Sequence, residues 1–289
     1  MLVNVKKYAT VLTSVLALTL PLNFSMEAVA LAQTNQSRAN IVIAQSSESE
    51  IPSPYEQAKA DLPEDLYVLY RIVDRIVRSN NIDTRYWRVT IVPDYSAQLY
   101  ASSAYVITLD ESLLDLMGGD VSALSFVIAH EMAHHVHNHL DRAAELIIEG
   151  NEHISESDNQ EEAKQRIEMW EERMQALVHT LELEADKTAY QYVARAGFEP
   201  AGCVQALNIL TELPGASHES QTHPALANRI EAIQTLRVMQ PSAELAEKGR
   251  LTLGLTEPLT YELSEDAHSL RIDSQPRPSY GEEIDDLLG

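Results

Sequence analysis

Two histidines and a glutamate occur together in the segment His130-Glu131-Met132-Ala133-His134, which has the pattern H-E-x-x-H. If this segment is helical, residues four apart share a face, so His130 and His134 can direct two imidazole nitrogens at one metal ion. Glu131 leaves the helix about 100° from His130, where its carboxylate can take a proton from a metal-bound water. The pattern predicts a site for one Zn2+ ion per chain. A histidine-rich surface helix is the alternative.

The residues around the motif favour a helix. Asp120 is a good N-cap residue, and neither proline nor glycine interrupts the chain between it and Asn138. The apolar residues before the motif would bury this helix and place both histidines at the floor of a cleft. His135 and His139 are also four apart and could bind a metal instead, but no glutamate follows His135 and the pair lies on a more polar side.

A pair of acidic residues with helical spacing lies further along the chain. Glu182 and Asp186 are four residues apart, in a periodic run that Gly197 ends. Two carboxylates on one helix face repel each other, so we expect one to bind a cation and the other to orient a ligand. Glu184 is the competing acid, but it points to nearly the opposite side of the helix from Glu182 and lies only two residues from Asp186.

The remaining patterns predict a mainly helical chain with a small sheet. Apolar residues recur at three- and four-residue intervals from Leu66 to Val77, which indicates a helix ending at Asn80-Asn81. Runs at 87–92 and 105–109 predict strands. The second strand is either an edge along which an extended peptide can lie or an ordinary sheet edge. Further helices are predicted at 110–117, in two arms between 141 and 180 joined by an irregular turn at 151–159, and at 181–196, 201–213 and 225–239.

Composition limits the class of protein and its partners. The 289 residues, 45% of them hydrophobic, suffice for one substantial domain with tails. The formal net charge of −23 would repel nucleic acid and anionic lipid, so we expect no nucleic-acid partner. The single cysteine, Cys203, excludes an intramolecular disulfide and a zinc ribbon, which needs several thiolates.

Three motifs in order resemble one family of proteases. The H-E-x-x-H motif, the E-x-x-x-D motif of Glu182 and Asp186, and Thr222-His223-Pro224 with Arg229 resemble zinc metallopeptidases that include HtpX, BepA and the CAAX prenyl proteases. The resemblance covers roughly residues 66–239. It implies a gluzincin: an α+β, mainly helical, zincin-like metallopeptidase domain with a small β-sheet beside the H-E-x-x-H helix. The multiple membrane spans of HtpX are missing, so the chain is most similar to a soluble, exported member of the family.

The resemblance also assigns roles to residues. It makes Glu182 the third zinc ligand beside the two motif histidines, and it gives Asp186 a supporting role. It places His223 near the active site, to contact substrate or to gate the metal. Glu131 would then be the general base of an endopeptidase that cleaves polypeptides, with envelope protein quality control as the implied setting. The rival interpretations are a non-catalytic, chaperone-like or scaffolding relative, and a protease autoinhibited by the His223 loop or by the C-terminal tail.

The domain organisation follows from composition along the chain. Lys6 and Lys7, a short apolar core and small-x-small sites predict that residues 1–32 are a signal peptide, which implies export to the periplasm or secretion. An uncleaved N-terminal membrane anchor is the alternative. Residues 33–54 read as a flexible linker, 55–250 as the metallopeptidase domain, and 251–289 as a partly disordered C-terminal extension.

Overall fold

A computed structural model describes residues 52–83, 85–93, 99–102 (backbone only), 105–212 and 224–275 of the chain. The predicted signal peptide, most of the predicted linker and His223 lie outside the described residues. In the part that the structure describes, nine α-helices accompany five β-strands, which confirms the predicted mainly helical α+β class. No helix among the described residues is both long enough and apolar enough to cross a bilayer.

The helices and strands follow one another in a simple order. The helices are α1 (Pro54–Asp61), α2 (Glu64–Asn80), α3 (Glu111–Met117), α4 (Val121–Val136), α5 (His139–Ser155), α6 (Gln160–Ala196), α7 (Ala201–Thr211), α8 (Leu226–Met239) and α9 (Ser242–Leu253). The strands are β1 (Trp87–Val92), β2 (Leu99–Ser102), β3 (Val106–Asp110), β4 (Thr260–Leu263) and β5 (Ser269–Asp273).

The five strands form one mixed sheet in the order β2-β3-β1-β5-β4. Strands β1 and β3 are parallel, whereas the other neighbouring pairs are antiparallel. Val89 of β1 lies opposite Ile107 of β3 on one side and Leu270 of β5 on the other, and all three are fully buried. This row of apolar side chains joins the sheet to the main core, which includes the apolar face of α2.

The C-terminal part of the chain is more integrated than its sequence indicates. The boundary predicted at residue 250 falls inside α9, and β4 and β5 pair into the central sheet beside β1. The folded unit therefore continues to Asp273. The region between the two predicted strands also contains β2, which pairs with β3, so β3 is not the sheet edge that we expected and β2 takes that position.

Helix α4 lies between the sheet and two further helices. Asp120 caps it by accepting hydrogen bonds from the backbone N–H groups of Ser122 and Ala123, both at 3.0 Å. Helix α7 crosses it closely at Gly202, where an added Cβ would lie 2.5 Å from the backbone of Ser122. Helix α6 packs along it as well. The motif helix is thus held from several sides by rigid elements.

Helices α5 and α6 form a hairpin with a small core of its own. Trp170 lies against Gly150, and its ring N–H donates to the carbonyl of Leu146 at 3.0 Å. The irregular turn is shorter than predicted, because α5 continues to Ser155. The predicted second arm and the helix carrying Glu182 are one element, since α6 is continuous over 37 residues. One end of α6 therefore lies in the hairpin and the other beside α4.

Candidate active site

Helix α4 carries the H-E-x-x-H motif on a buried surface. His130, Glu131 and His134 are 4%, 2% and 3% exposed. The helix has no break over the motif, so the two histidines lie one turn apart on one face, as the spacing predicts. Their ring centroids are 4.7 Å apart. The backbone of α4 alone therefore aligns the two imidazoles.

Helix α6 brings an acidic side chain to the same point. Oε1 of Glu182 lies 3.3 Å from Nε2 of His134, and Oε2 of Glu182 lies 3.6 Å from Nε2 of His130. The two Nε2 atoms are 3.0 Å apart. Among the described residues, His130, His134 and Glu182 are the group of three side chains that converge closely enough to hold a metal ion.

The distances within this group fit zinc. Two ligand atoms on a tetrahedral zinc ion, each about 2.0 to 2.2 Å from the metal, are about 3.3 to 3.6 Å from each other. The two Nε2 atoms are 3.0 Å apart, and they lie 3.3 and 3.6 Å from different oxygens of Glu182. One ligand atom from each of the three residues lies within 4.8 Å of the other two. Two imidazoles and a carboxylate are also a donor set that catalytic zinc sites use. The residues present therefore fit the metal that the sequence predicts.

Asp186 connects His130 on α4 to a buried cation on α8. Its Oδ1 lies 3.0 Å from Nδ1 of His130. Arg229 donates two hydrogen bonds to the same carboxylate, each at 2.7 Å, and its third nitrogen lies 3.4 Å from Oε2 of Glu182. Arg229 is 1% exposed. A single buried guanidinium thus interacts with two buried carboxylates.

Burial and charge act in opposite directions on these groups. Burial alone would raise the pKa of Asp186, but the charge and hydrogen bonds of Arg229 outweigh it and hold that pKa below its ordinary value. Burial also opposes protonation of His130, yet Asp186 and Glu182 together raise its pKa. The pKa of His134 is lowered to about 4, chiefly by burial. A bound metal would compete with the proton on His130, since a ligating imidazole must be neutral.

Glu184 lies away from the three converging side chains. Its carboxylate is partly exposed and accepts a hydrogen bond from Arg142 at 2.7 Å. It lies 3.5 Å from His139 and 3.9 Å from His137. The helix therefore separates Glu184 from Glu182, as the two-residue spacing requires.

The alternative histidine pair is not brought together. Nε2 of His135 lies 3.3 Å from the carbonyl oxygen of Val106 in β3, and its ring stacks on Tyr105. Nδ1 of His139 instead lies 2.9 Å from Nδ1 of His134. Burial lowers the pKa of His135 to about 4. His135 therefore joins α4 to the sheet, whereas His139 contacts the converging group.

Comparison with known proteins identifies the chain's relatives. The family model for Peptidase family M48 matches residues 67–237, which is more than half of the chain. The chain belongs to peptidase family M48. The matched residues include the H-E-x-x-H motif, the E-x-x-x-D motif and Arg229, so the resemblance seen in the sequence is confirmed at the level of the family. No curated protein and no solved structure matches the chain.

The sequence of this M48 peptidase did not by itself predict the contacts of two residues beside His130, His134 and Glu182. Arg229 belongs to the third motif, with Thr222-His223-Pro224. Its role could have been inferred from the sequence, because two buried acids on one helix face need a cation nearby. For His139 the sequence indicates only an alternative metal ligand. Among the site residues that the sequence predicts, His223 lies outside the described residues, so its predicted role stays a prediction.

Proposed function

We propose that this M48 peptidase is a zinc-dependent endopeptidase, with His130, His134 and Glu182 as the metal ligands and Glu131 as the general base. The convergence of two imidazole nitrogens and the Glu182 carboxylate, with one ligand atom from each residue within 4.8 Å of the others, is the observation that supports it. The position of Glu131, directly after the first ligand on the same rigid helix, supports a catalytic rather than a structural metal. A purely structural site has no need of a general base.

The reaction that we propose is hydrolysis of a peptide bond. When bound, zinc supplies a Lewis acid for the scissile carbonyl and lowers the pKa of a water molecule to about 7. Glu131 accepts the proton of the attacking water and later delivers it to the leaving amine. Asp186 and Arg229 orient His130, and Arg229 also balances the charge of Glu182.

We propose that substrates bind as extended polypeptides along β2. This strand is at one edge of the sheet and packs against α4, which carries His130 and Glu131. Backbone pairing with a sheet edge selects an extended chain without selecting its sequence. Such binding suits unfolded or misfolded polypeptides, and it agrees with a role in envelope protein quality control.

Replacement of the proposed base tests the chemistry. Glu131→Gln should keep zinc and lose casein cleavage by at least ~100-fold, because a positioned acid–base group contributes at least that much. Zinc content and cleavage rate should be measured on the same preparation. Glu172→Gln, which changes an exposed glutamate of α6, is the matched control. Unchanged turnover in Glu131→Gln would exclude Glu131 as the base, and zinc-free wild-type protein would exclude the metal.

Two further variants test autoinhibition. Deletion of residues 276–289 leaves β4 and β5 intact, whereas deletion from residue 251 would remove two strands of the sheet. His223→Ala tests the loop. A higher cleavage rate in either variant would identify that segment as inhibitory, and unchanged rates in both would exclude them.

We also infer that the protein is exported. The inference is supported by the charged start, the short apolar core and the small-x-small sites within residues 1–32. N-terminal sequencing of the protein recovered from its native cells should find a chain that begins near residue 33. A chain still beginning at Met1 would instead favour a membrane anchor.

A further inference from the structure

His134 meets a second buried histidine on the side of its ring that faces away from Glu182. Its Nε2 faces Glu182, whereas its Nδ1 lies 2.9 Å from Nδ1 of His139. His139 is fully buried, and the two rings meet edge to face at a centroid distance of 4.8 Å. A contact of 2.9 Å between two ring nitrogens requires that one donates a proton and the other accepts it.

The backbone between α4 and α5 brings these rings together. Asn138 adopts a left-handed conformation with φ of 52° and makes the turn between the two helices. Asparagine tolerates this conformation better than most residues with a side chain. His139 is then the first residue of α5, placed beneath His134 although it is five residues away. The contact therefore depends on a sharp turn and not on helical spacing.

The tautomers of both rings follow if His134 binds zinc through Nε2. A neutral ligand imidazole then carries its proton on Nδ1 and donates it to His139. Nδ1 of His139 must accept that hydrogen bond, so the proton of His139 lies on its Nε2. That Nε2 lies 3.5 Å from Oε2 of Glu184, which can attract it. Arg142 donates to the same oxygen at 2.7 Å.

We propose that His139 is a positioning residue that holds His134 in its Nδ1–H tautomer and in its metal-facing orientation, through the chain His134–His139–Glu184–Arg142. The inference rests on the proposed zinc site. It adds to that site a support for the second ligand histidine, whereas Asp186 contacts the first. At His134 the hydrogen-bond acceptor is the imidazole of His139, whereas the group beside His130 is the carboxylate of Asp186.

Two substitutions at His139 separate hydrogen bonding from packing. His139→Leu fills the buried space but has no acceptor, whereas His139→Asn places an amide oxygen close to the position of Nδ1. His137→Ala is the control, because His137 contacts Thr188 and stacks on His139 without a contact to His134. Circular dichroism and thermal melting should show that each full-length variant is folded.

The measurements are made on the metal and not only on cleavage. Zn2+ affinity is measured by competition with a chromophoric chelator, and the ligand field is measured from the visible spectrum of the Co2+-loaded protein. His139→Leu should weaken Zn2+ binding by ~10- to 100-fold, the usual effect of losing a group that orients a ligand. Its Co2+ spectrum should shift, whereas His139→Asn and His137→Ala should remain close to wild type in both measurements.

The outcomes distinguish this inference from the function on which it rests. Wild-type affinity and spectrum in a folded His139→Leu variant would overturn the role of His139 and leave the proposed function standing. An equal loss in His139→Leu and His139→Asn would also overturn it, because packing would then be the cause. A wild-type protein that binds no Zn2+ would overturn the proposed function and this inference together.

Discussion

The two histidines of the H-E-x-x-H motif are supported in different ways. Beside His130 lies the carboxylate of Asp186, which Arg229 holds with two hydrogen bonds in a fully buried arrangement. Beside His134 lies the buried imidazole of His139. This ring is neutral, because burial, the largest cause, lowers its pKa to about 3. One support is a charge pair, and the other is a neutral ring.

The difference continues outward from the site. The Asp186 support ends at Arg229 in the interior, whereas the His139 support reaches Glu184 and Arg142, whose side chains are 38% and 40% exposed. Buried charges depend strongly on each other, because no solvent replaces a lost partner. Partly exposed pairs contribute little. We therefore expect the His130 side to dominate the stability of the site, and both sides to tune the metal.

The largest effect should come from replacing Glu182, whose carboxylate lies close to both motif histidines. Glu182→Ala removes a proposed ligand, so zinc affinity and cleavage should fall by more than ~100-fold, beyond the loss typical of a supporting residue. Glu184→Ala should keep its zinc, because Glu184 points away from the site. Zinc content and casein cleavage of the two variants provide the check. If Glu184→Ala lost the metal and Glu182→Ala kept it, the proposed ligand set would be wrong.

Removal of the buried cation should mainly change stability. Arg229→Met leaves Asp186 and Glu182 without their balancing charge, and we expect a loss of ~3 to 5 kcal/mol in the free energy of unfolding. Urea denaturation of the zinc-free protein measures this directly. Arg229→Lys, which keeps the charge but loses the paired hydrogen bonds, should fall between Met and wild type. A Met variant as stable as wild type would contradict the buried charge balance.

The support of His130 can be weakened without emptying its space. Asp186→Asn keeps the volume but removes the charge beside Nδ1 of His130, so zinc affinity should fall by ~10- to 100-fold. Chelator competition, run in parallel with His139→Leu, compares the two supports. The double variant tests whether they act independently. Wild-type zinc affinity in Asp186→Asn would show that the carboxylate beside His130 does not tune the metal.

The smallest effect is expected at the outer end of the His139 support. Arg142→Ala breaks the pair with Glu184, which is partly solvated, so the free energy of unfolding should change by at most ~1 kcal/mol. Thermal melting against Arg229→Met shows whether exposure explains the difference. A loss of stability in Arg142→Ala as large as that in Arg229→Met would show that solvent exposure does not separate the two supports.

Local patterns in the sequence predicted most helices and the central group of the site. Apolar periodicity indicated α2 and its end at Asn80, and the four-residue spacings indicated which faces His130, His134 and Glu182 share. These features depend on neighbours within a turn or two of the same helix. The group of His130, His134 and Glu182 could be predicted for that reason, because only two helices have to meet to form it.

Features that depend on distant partners were missed. Strand β2 is only four residues long and alternates weakly, and β5 pairs with β1 across most of the chain. The position of Arg229 beside Asp186 depends on how α8 packs on α6. The contact of His139 with His134 depends on the left-handed turn at Asn138. No local spacing rule specifies these contacts.

The pairing of β5 with β1 has a consequence for when the enzyme matures. Val89 is paired with Leu270, so β1 lacks one of its two neighbours until residue 270 has been synthesised. The motif helix and Glu182 leave the ribosome well before that point, but the sheet beside them is still incomplete. Contacts between such distant residues form late in folding. A nascent chain would therefore carry His130, His134 and Glu182 before the sheet beside them is complete, which delays proteolytic competence until residue 270 has been added.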